Sequence, residues 1–172
     1  MRETDLFVTP DGALRIGDRR YRCALGRGGI RHDKREGDGA TPAGAWPLRA
    51  VLYRPDRVAT PTSGLSVSPI HREDGWCDAP DDPNYNRPVS LPYPASAERM
   101  WRDDDLYDLL AMIGYNDDPP VPGSGSAIFL HVARPDYGPT EGCVALALSD
   151  LMDVLARCEA GSQIAISAGD AL

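Results

Sequence analysis

A thiol and an imidazole stand close together near the C-terminal end of this chain, in the stretch FLHVARPDYGPTEGCVALALSDL, residues 129–151. Cys143 follows a glycine, and His131 leaves an apolar run 12 residues earlier. The thiolate is the nucleophilic form of cysteine, and a free thiol is mostly protonated at neutral pH. A neighbouring imidazole lowers that barrier by taking the proton. If His131 ends one strand and Cys143 begins the next, the loop between them doubles back and the two side chains can meet. Gly142 has no Cβ, so the backbone N–H groups of Gly142 and Cys143 can approach a substrate carbonyl and form an oxyanion hole. The residues alone leave a second reading open: an inert buried cysteine that starts a strand, with His131 satisfied by a backbone carbonyl.

These two residues need a scaffold, and the local patterns predict one rich in β-structure. Residues 5–8 and 13–16 flank the turn signal TPDG and read as a hairpin. Residues 20–26 alternate and read as a third strand, followed by a long Gly-rich loop over 26–44. Residues 45–53 read as a strand, with Pro47 placing it near an edge or a bulge. Residues 54–100 are dense in Pro, Asp, Asn and Ser and read as ordered loop, a length that usually signals function. From Asp104 to Ile113 the spacing of Leu106, Leu109, Leu110 and Ile113 predicts a helix, with acidic residues at its start. Residues 125–133 and 143–148 read as strands. Ser149 is a candidate cap for a helix from Asp150 to about Ala160, with Gly161 as its stop, and 163–166 is a last strand. The expected fold is mostly β with short helices, an α+β chain forming one domain over 1–172.

Composition narrows the function classes. The chain has 172 residues and a net charge of −8, with a single lysine, Lys34, among eighteen basic residues. No basic stripe is present, which argues against nucleic-acid binding, because neutralising phosphates takes clustered cations. A small or peptidic anionic ligand held by a few arginines stays open. No apolar run approaches the roughly 20 residues of a membrane span. The start, MRETDLFVTPDGAL, lacks the basic and apolar segments of a secretory signal. The four cysteines show no CxxC pair, so free thiols are the expectation.

Other residues could serve the same site. Trp76, in PIHREDGWCDAP, reads as a wall or lid of a cleft; Tyr115 and Asn116 could offer a hydroxyl and an amide to a peptide, or simply form a turn. His71, Cys77 and His131 are zinc-type ligands, but no tight spacing joins them, so no metal is expected. The run Gly26-Arg27-Gly28-Gly29 lacks a nucleotide-binding pattern.

Two motifs together resemble the L,D-transpeptidase catalytic domain, or YkuD-like, family. One is Thr140-Glu141-Gly142-Cys143 with His131 upstream, similar to the family's His…[Ser/Thr]-His-Gly-Cys signature. The other is Gly37-Asp38-Gly39-Ala40-Thr41-Pro42-Ala43-Gly44, similar to its Thr-Pro-x-Gly element. The resemblance spans roughly residues 5–167. It implies a mixed, mostly antiparallel β-sandwich or barrel-like core and a cofactor-free cysteine acyl transfer on peptidoglycan stem peptides. Cys143 would be the nucleophile, His131 the general base, and Gly142 part of the acyl-oxygen site. Thr140, Glu141, Arg134, Tyr115, Asn116 and Trp76 would face the substrate. Two positions depart from the pattern: Glu141 stands where the family has a second His, and Ala145 where it has Arg. Arg134 is the candidate replacement for that cation. The implied activity is crosslinking; an L,D-carboxypeptidase or amidase, or a non-catalytic wall-binding module, are the alternatives. Such a substrate implies a place in the cell envelope or periplasm, with the cytoplasm as the alternative for a chain without a recognisable signal.

Overall fold

The computed structural model describes residues 2–169. The chain opens with β1 (Leu6–Thr9), β2 (Ala13–Ile16) and β3 (Arg19–Arg22), a meander joined by tight turns. A glycine-rich loop follows, in which β4 (Ile30–Arg31) and β5 (Thr41–Pro42) pair with each other. Next comes the long strand β6 (Gly44–Tyr53). The proline-rich middle carries β7 (Ser66–Pro69), β8 (Asp74–Cys77), β9 (Pro88–Ser90) and β10 (Ala97–Arg99). The last third holds β11 (Leu109–Ile113), β12 (Phe129–Val132), β13 (Val144–Leu146), α1 (Leu148–Arg157) and β14 (Gln163–Ile166).

One mixed sheet organises the molecule, in the order β13-β12-β11-β6-β14-β1-β2-β3, with β7 added to β6. Its two ends nearly meet. Ala24, just past β3, exchanges both backbone hydrogen bonds with Ala145 on β13 (2.8 and 3.0 Å), so the sheet curls into a nearly closed barrel. This mostly β, α+β architecture with a barrel-like mixed sheet is the YkuD-like fold the sequence led us to expect. Inside the barrel, Leu6, Val8, Leu14, Val51, Leu109, Ala111, Leu130, Val144 and Leu146 pack with Leu151, Val154 and Leu155 of α1. The alternate residues of β11 and β12 face the other way. Leu110 and Phe129 join Trp76, Met100, Tyr107 and Cys143 in a second apolar cluster, under the small sheet β10-β8-β9. Strands buried on both faces have no polar side to show, which is why β11 and β12 read as continuous apolar runs.

The structure corrects the expected helix over 104–113. Residues 109–113 are β11, hydrogen-bonded between β6 and β12. The carbonyls of Arg102, Asp103 and Asp104 accept hydrogen bonds from the guanidinium groups of Arg54 and Arg57 (2.6–2.9 Å), so they are not spent on helical N–H groups four residues on. The helix-like spacing of the leucines coincides with a turn entering a doubly buried strand. Residues 54–100, expected as loop, contain four short strands. Strand β6 is central rather than an edge. Pro47, which has no N–H to give, stands just beyond the last β6–β11 pair, Leu48 with Ile113, where its carbonyl accepts the Gly114 N–H (2.7 Å). Helix α1 begins at Leu148, with Ala147 at its cap and no side-chain cap bond, so Ser149 lies inside it. It ends at Arg157, before Gly161. Both ends of the expected 1–172 domain, residue 1 and residues 170–172, lie outside the described residues.

Leu155 is fully buried between α1 and the sheet. Leu155→Ala should lower the unfolding free energy by about 2–5 kcal/mol, measured by urea titration.

Candidate active site

Strand pairing places the thiol and the imidazole. β12 and β13 run parallel, with Leu130 opposite Val144 and His131 opposite Ala145. Cys143, one residue before β13, therefore lies across from Phe129. Successive side chains alternate between faces, so Cys143, Phe129 and His131 share the face turned away from the barrel interior. Both side chains are deeply placed: Cys143 is 7% exposed and His131 5%.

The turn before Cys143 is braced from within. Thr140 Oγ1 accepts the Gly142 N–H (3.1 Å) and donates to the Cys143 carbonyl (2.7 Å). Gly142 has φ +132°, and a Cβ there would lie 2.6 Å from the Ala40 carbonyl oxygen, so only glycine fits. Gly26 sits in the same crowd: a Cβ on it would meet Gly39 O at 2.2 Å and Gly142 Cα at 2.9 Å. The Gly26 N–H donates to Thr41 Oγ1 (2.9 Å). The Gly37–Gly44 motif and the Thr140–Cys143 motif, far apart in sequence, are thus packed backbone against backbone.

Cys143 opens onto a cavity of about 310 Å³ lined also by Lys34, Glu36, Asp78, Glu98, Tyr107 and Glu141. Its sulfur makes two backbone contacts: it accepts the Phe129 N–H (3.3 Å) and donates to the Ala127 carbonyl (3.3 Å). Burial pushes the thiol up to about 12, partly offset by the Phe129 N–H. Cys23 and Cys158 are pushed up to about 12 for the same reason, so burial alone does not single out Cys143. His131 Nδ1 lies 2.8 Å from its neighbour's carbonyl, Val132 O. A carbonyl can only accept, so Nδ1 carries the proton and Nε2 keeps its lone pair as a potential base. Burial pulls His131 down to about 4, against the favourable pull of that carbonyl. The ring stands edge-on to Tyr107 at 5.4 Å between centroids, and Tyr107 donates to Glu98 (2.5 Å). Burial raises Glu98 above the ordinary carboxyl range.

Several expected site residues do other work. The Gly142 N–H, expected at the acyl oxygen, is taken by Thr140. Thr140 itself is buried as the brace of this turn. Trp76 is no lid: it is buried against Phe129, with its indole N–H on Asn86 (2.9 Å). Arg134 is exposed, with its guanidinium 3.5 Å from the Pro139 carbonyl, and it does not line the Cys143 cavity. Tyr115 donates to Ser124 O (2.6 Å), and Asn116 ties Val121 and Gly125 (2.8–3.0 Å); both brace the loop before β12. Glu141 does line the cavity, with its side chain 81% exposed and paired with Arg27 (2.9 Å). Among the described residues no group of three or more His, Cys, Asp or Glu is arranged to hold a metal.

Asp78, from the stretch PIHREDGWCDAP read as a cleft-lining loop, does line the Cys143 cavity; sequence reasoning missed Lys34, Glu36, Glu98 and Tyr107. Only Lys34 carried a signal, as the sole lysine of an arginine-rich chain directly before the Gly37–Gly44 motif.

The L,D-transpeptidase catalytic domain model matches residues 4–166, nearly the whole chain, and the protein belongs to that family. The search of curated proteins and the search of solved structures each return no match. The family acts on peptidoglycan peptides by cysteine-dependent transpeptidation.

His131 also sets a pH dependence. Its folded value of about 4 lies below the unfolded value of 6.5, so the unfolded chain takes up the proton first as pH falls. The stability from keeping this ring neutral is complete above the unfolded value and drains away toward the folded one. Between pH 7 and pH 4 the wild type should lose about 3 kcal/mol more than His131→Gln, read as the difference between their urea midpoints times the slope.

Proposed function

We propose that this protein is a peptidoglycan L,D-transpeptidase that uses Cys143 as its nucleophile and His131 as its base. The observation that carries the reading is the position of Cys143: at the wall of a polar cavity and on the sheet face of His131, in a chain of this family. The thiol proton rests on the Ala127 carbonyl. Reaction starts when that proton passes to His131 Nε2, whose lone pair is kept free by the Nδ1–H bond to Val132. The sulfur attacks a stem-peptide carbonyl, a C–S bond forms, and the tetrahedral oxygen takes the negative charge. His131 returns the proton to the departing amine as the C–N bond breaks, leaving a thioester. The amine of a neighbouring stem, such as the side-chain amine of a diaminopimelate-type residue, then attacks and releases the thiol. The C–S bond breaks as the new C–N bond forms, and His131 carries the proton the amine loses to the sulfur. If water attacks in place of the amine, the same site is an L,D-carboxypeptidase; acceptor binding and water exclusion separate the two outcomes. With this substrate the enzyme works in the cell envelope.

Purified protein and its Cys143→Ala variant, incubated with muropeptides and read by mass spectrometry, test the assignment. Crosslinked dimers made only by the wild type are the expected result. Trimmed monomers alone would make the enzyme a peptidase, and unchanged material from both proteins would favour the wall-binding module.

A further inference from the structure

Lys34 is the chain's only lysine, and its side chain is just 3% exposed. Burying an ammonium is costly, so its partners carry information. Nζ donates to Asp38 Oδ1 (3.0 Å) and toward the Arg35 carbonyl (3.4 Å). Asp38 is itself fixed by the N–H groups of Arg35 and Ala40 (2.8 Å each). Two glycines make room for the lysine: a Cβ on Gly125 would stand 2.9 Å from Lys34 Cε, and one on Gly142 would stand 3.3 Å from Nζ. The ammonium is therefore clamped beside the peptide that leads into Cys143, in the wall of the same cavity.

That wall is otherwise acidic. Glu36, Asp78, Glu98 and Glu141 all line it, and among the described residues Lys34 is the only lysine or arginine that does. A developing thiolate meets Glu98 as a repulsive charge, and Lys34 and Arg102 as attractive ones. Arg102 is already engaged by Asp104 in two short contacts (2.6 and 2.7 Å). Ala145, two residues after the nucleophile, brings no charge of its own.

We propose that Lys34 is a positioning residue of the acyl-transfer site, a clamped ammonium that stabilises negative charge on the Cys143 sulfur once its proton has left. The inference rests on the reading of Cys143 as nucleophile and adds a cation supplied by the glycine-rich loop rather than by the strand that carries the cysteine. It gives the packing of the two motifs a chemical purpose: the loop that presses Ala40 against Gly142 also delivers Lys34. The charged and titratable groups facing Lys34 across the cavity are Glu36, Asp78, Glu98, Tyr107, Glu141 and Cys143, with Asp38 as its tether.

The test reads the thiolate directly and needs no peptidoglycan. Iodoacetamide is neutral, and its reaction rate at Cys143, followed by peptide mass at about pH 7.5, tracks the thiolate fraction. Lys34→Gln should react roughly tenfold more slowly than wild type, the equivalent of one pKa unit. Lys34→Arg, which keeps the charge, should restore the rate to within about threefold. A folded Lys34→Gln protein alkylated at the wild-type rate would overturn the proposal. Should Lys34→Gln fail to fold, Lys34→His decides: its rate relative to wild type should fall from about pH 6 to about pH 8 as the imidazolium loses its charge, and a flat ratio would overturn the proposal. The two readings fail separately. Inert muropeptides with Lys34-dependent alkylation would sink the transpeptidase and leave this inference, while crosslinking with Lys34-independent alkylation would do the reverse.

Discussion

The parallel pairing of β12 with β13 is the constraint on which the rest of this structure depends. Parallel neighbours need a crossover, and here the connection is the short loop 133–143, which returns the chain to the same end of the sheet. That return brings the residue before β13 onto the face occupied by His131. A shift of one residue in the register would turn Cys143 into the barrel interior. The register is held on both sides: β11 pairs with β12, and Ala24 closes the sheet onto Ala145. Barrel closure and the placement of Cys143 are therefore one structural fact.

Around that pairing the site is built from backbone more than from side chains. Gly142 lies against Ala40, Gly26 lies against Gly39, and the hydroxyls of Thr41 and Thr140 each satisfy an N–H in the crowded turns. The cysteine and histidine inside this frame are both held neutral by burial. In the proposed reaction, a thiol and an imidazole that are neutral at rest would gain their ion pair from a substrate that displaces the Ala127 contact and from fixed charges already in the wall. Lys34 and Cys143 are themselves nearly buried, so solvent screens a charge between them less than it would at the surface.

Much of this was legible in the sequence, for physical reasons. The hairpin of β1 and β2 announced itself through TPDG and its alternating flanks. The cysteine, the histidine and the two glycine-bearing motifs were legible because glycine marks places where backbones must touch. The strand β11 was misread because a doubly buried strand has no polar face, and its leucines fell by chance at helical intervals. The strands β8 to β10 were hidden because each is only three or four residues long and prolines and aspartates crowd the turns between them. Of the acidic wall only Asp78 lay in a stretch read as cleft-lining; Glu36 and Glu98 come from remote segments that only the tertiary fold brings to it. Trp76, Tyr115 and Asn116 were assigned to the substrate by type, whereas their hydrogen bonds tie loops.

The central claim is that Cys143 forms a thioester-type acyl bond. Intact-mass measurement after incubation with a carbapenem-type β-lactam tests it most directly, because the strained ring acylates a nucleophile without need of a stem peptide. The account predicts a single adduct on the wild type that is lost in Cys143→Ala. Absence of an adduct on the folded wild type from about pH 6 to about pH 9, across the range where thiolate rises about a thousandfold, would contradict it.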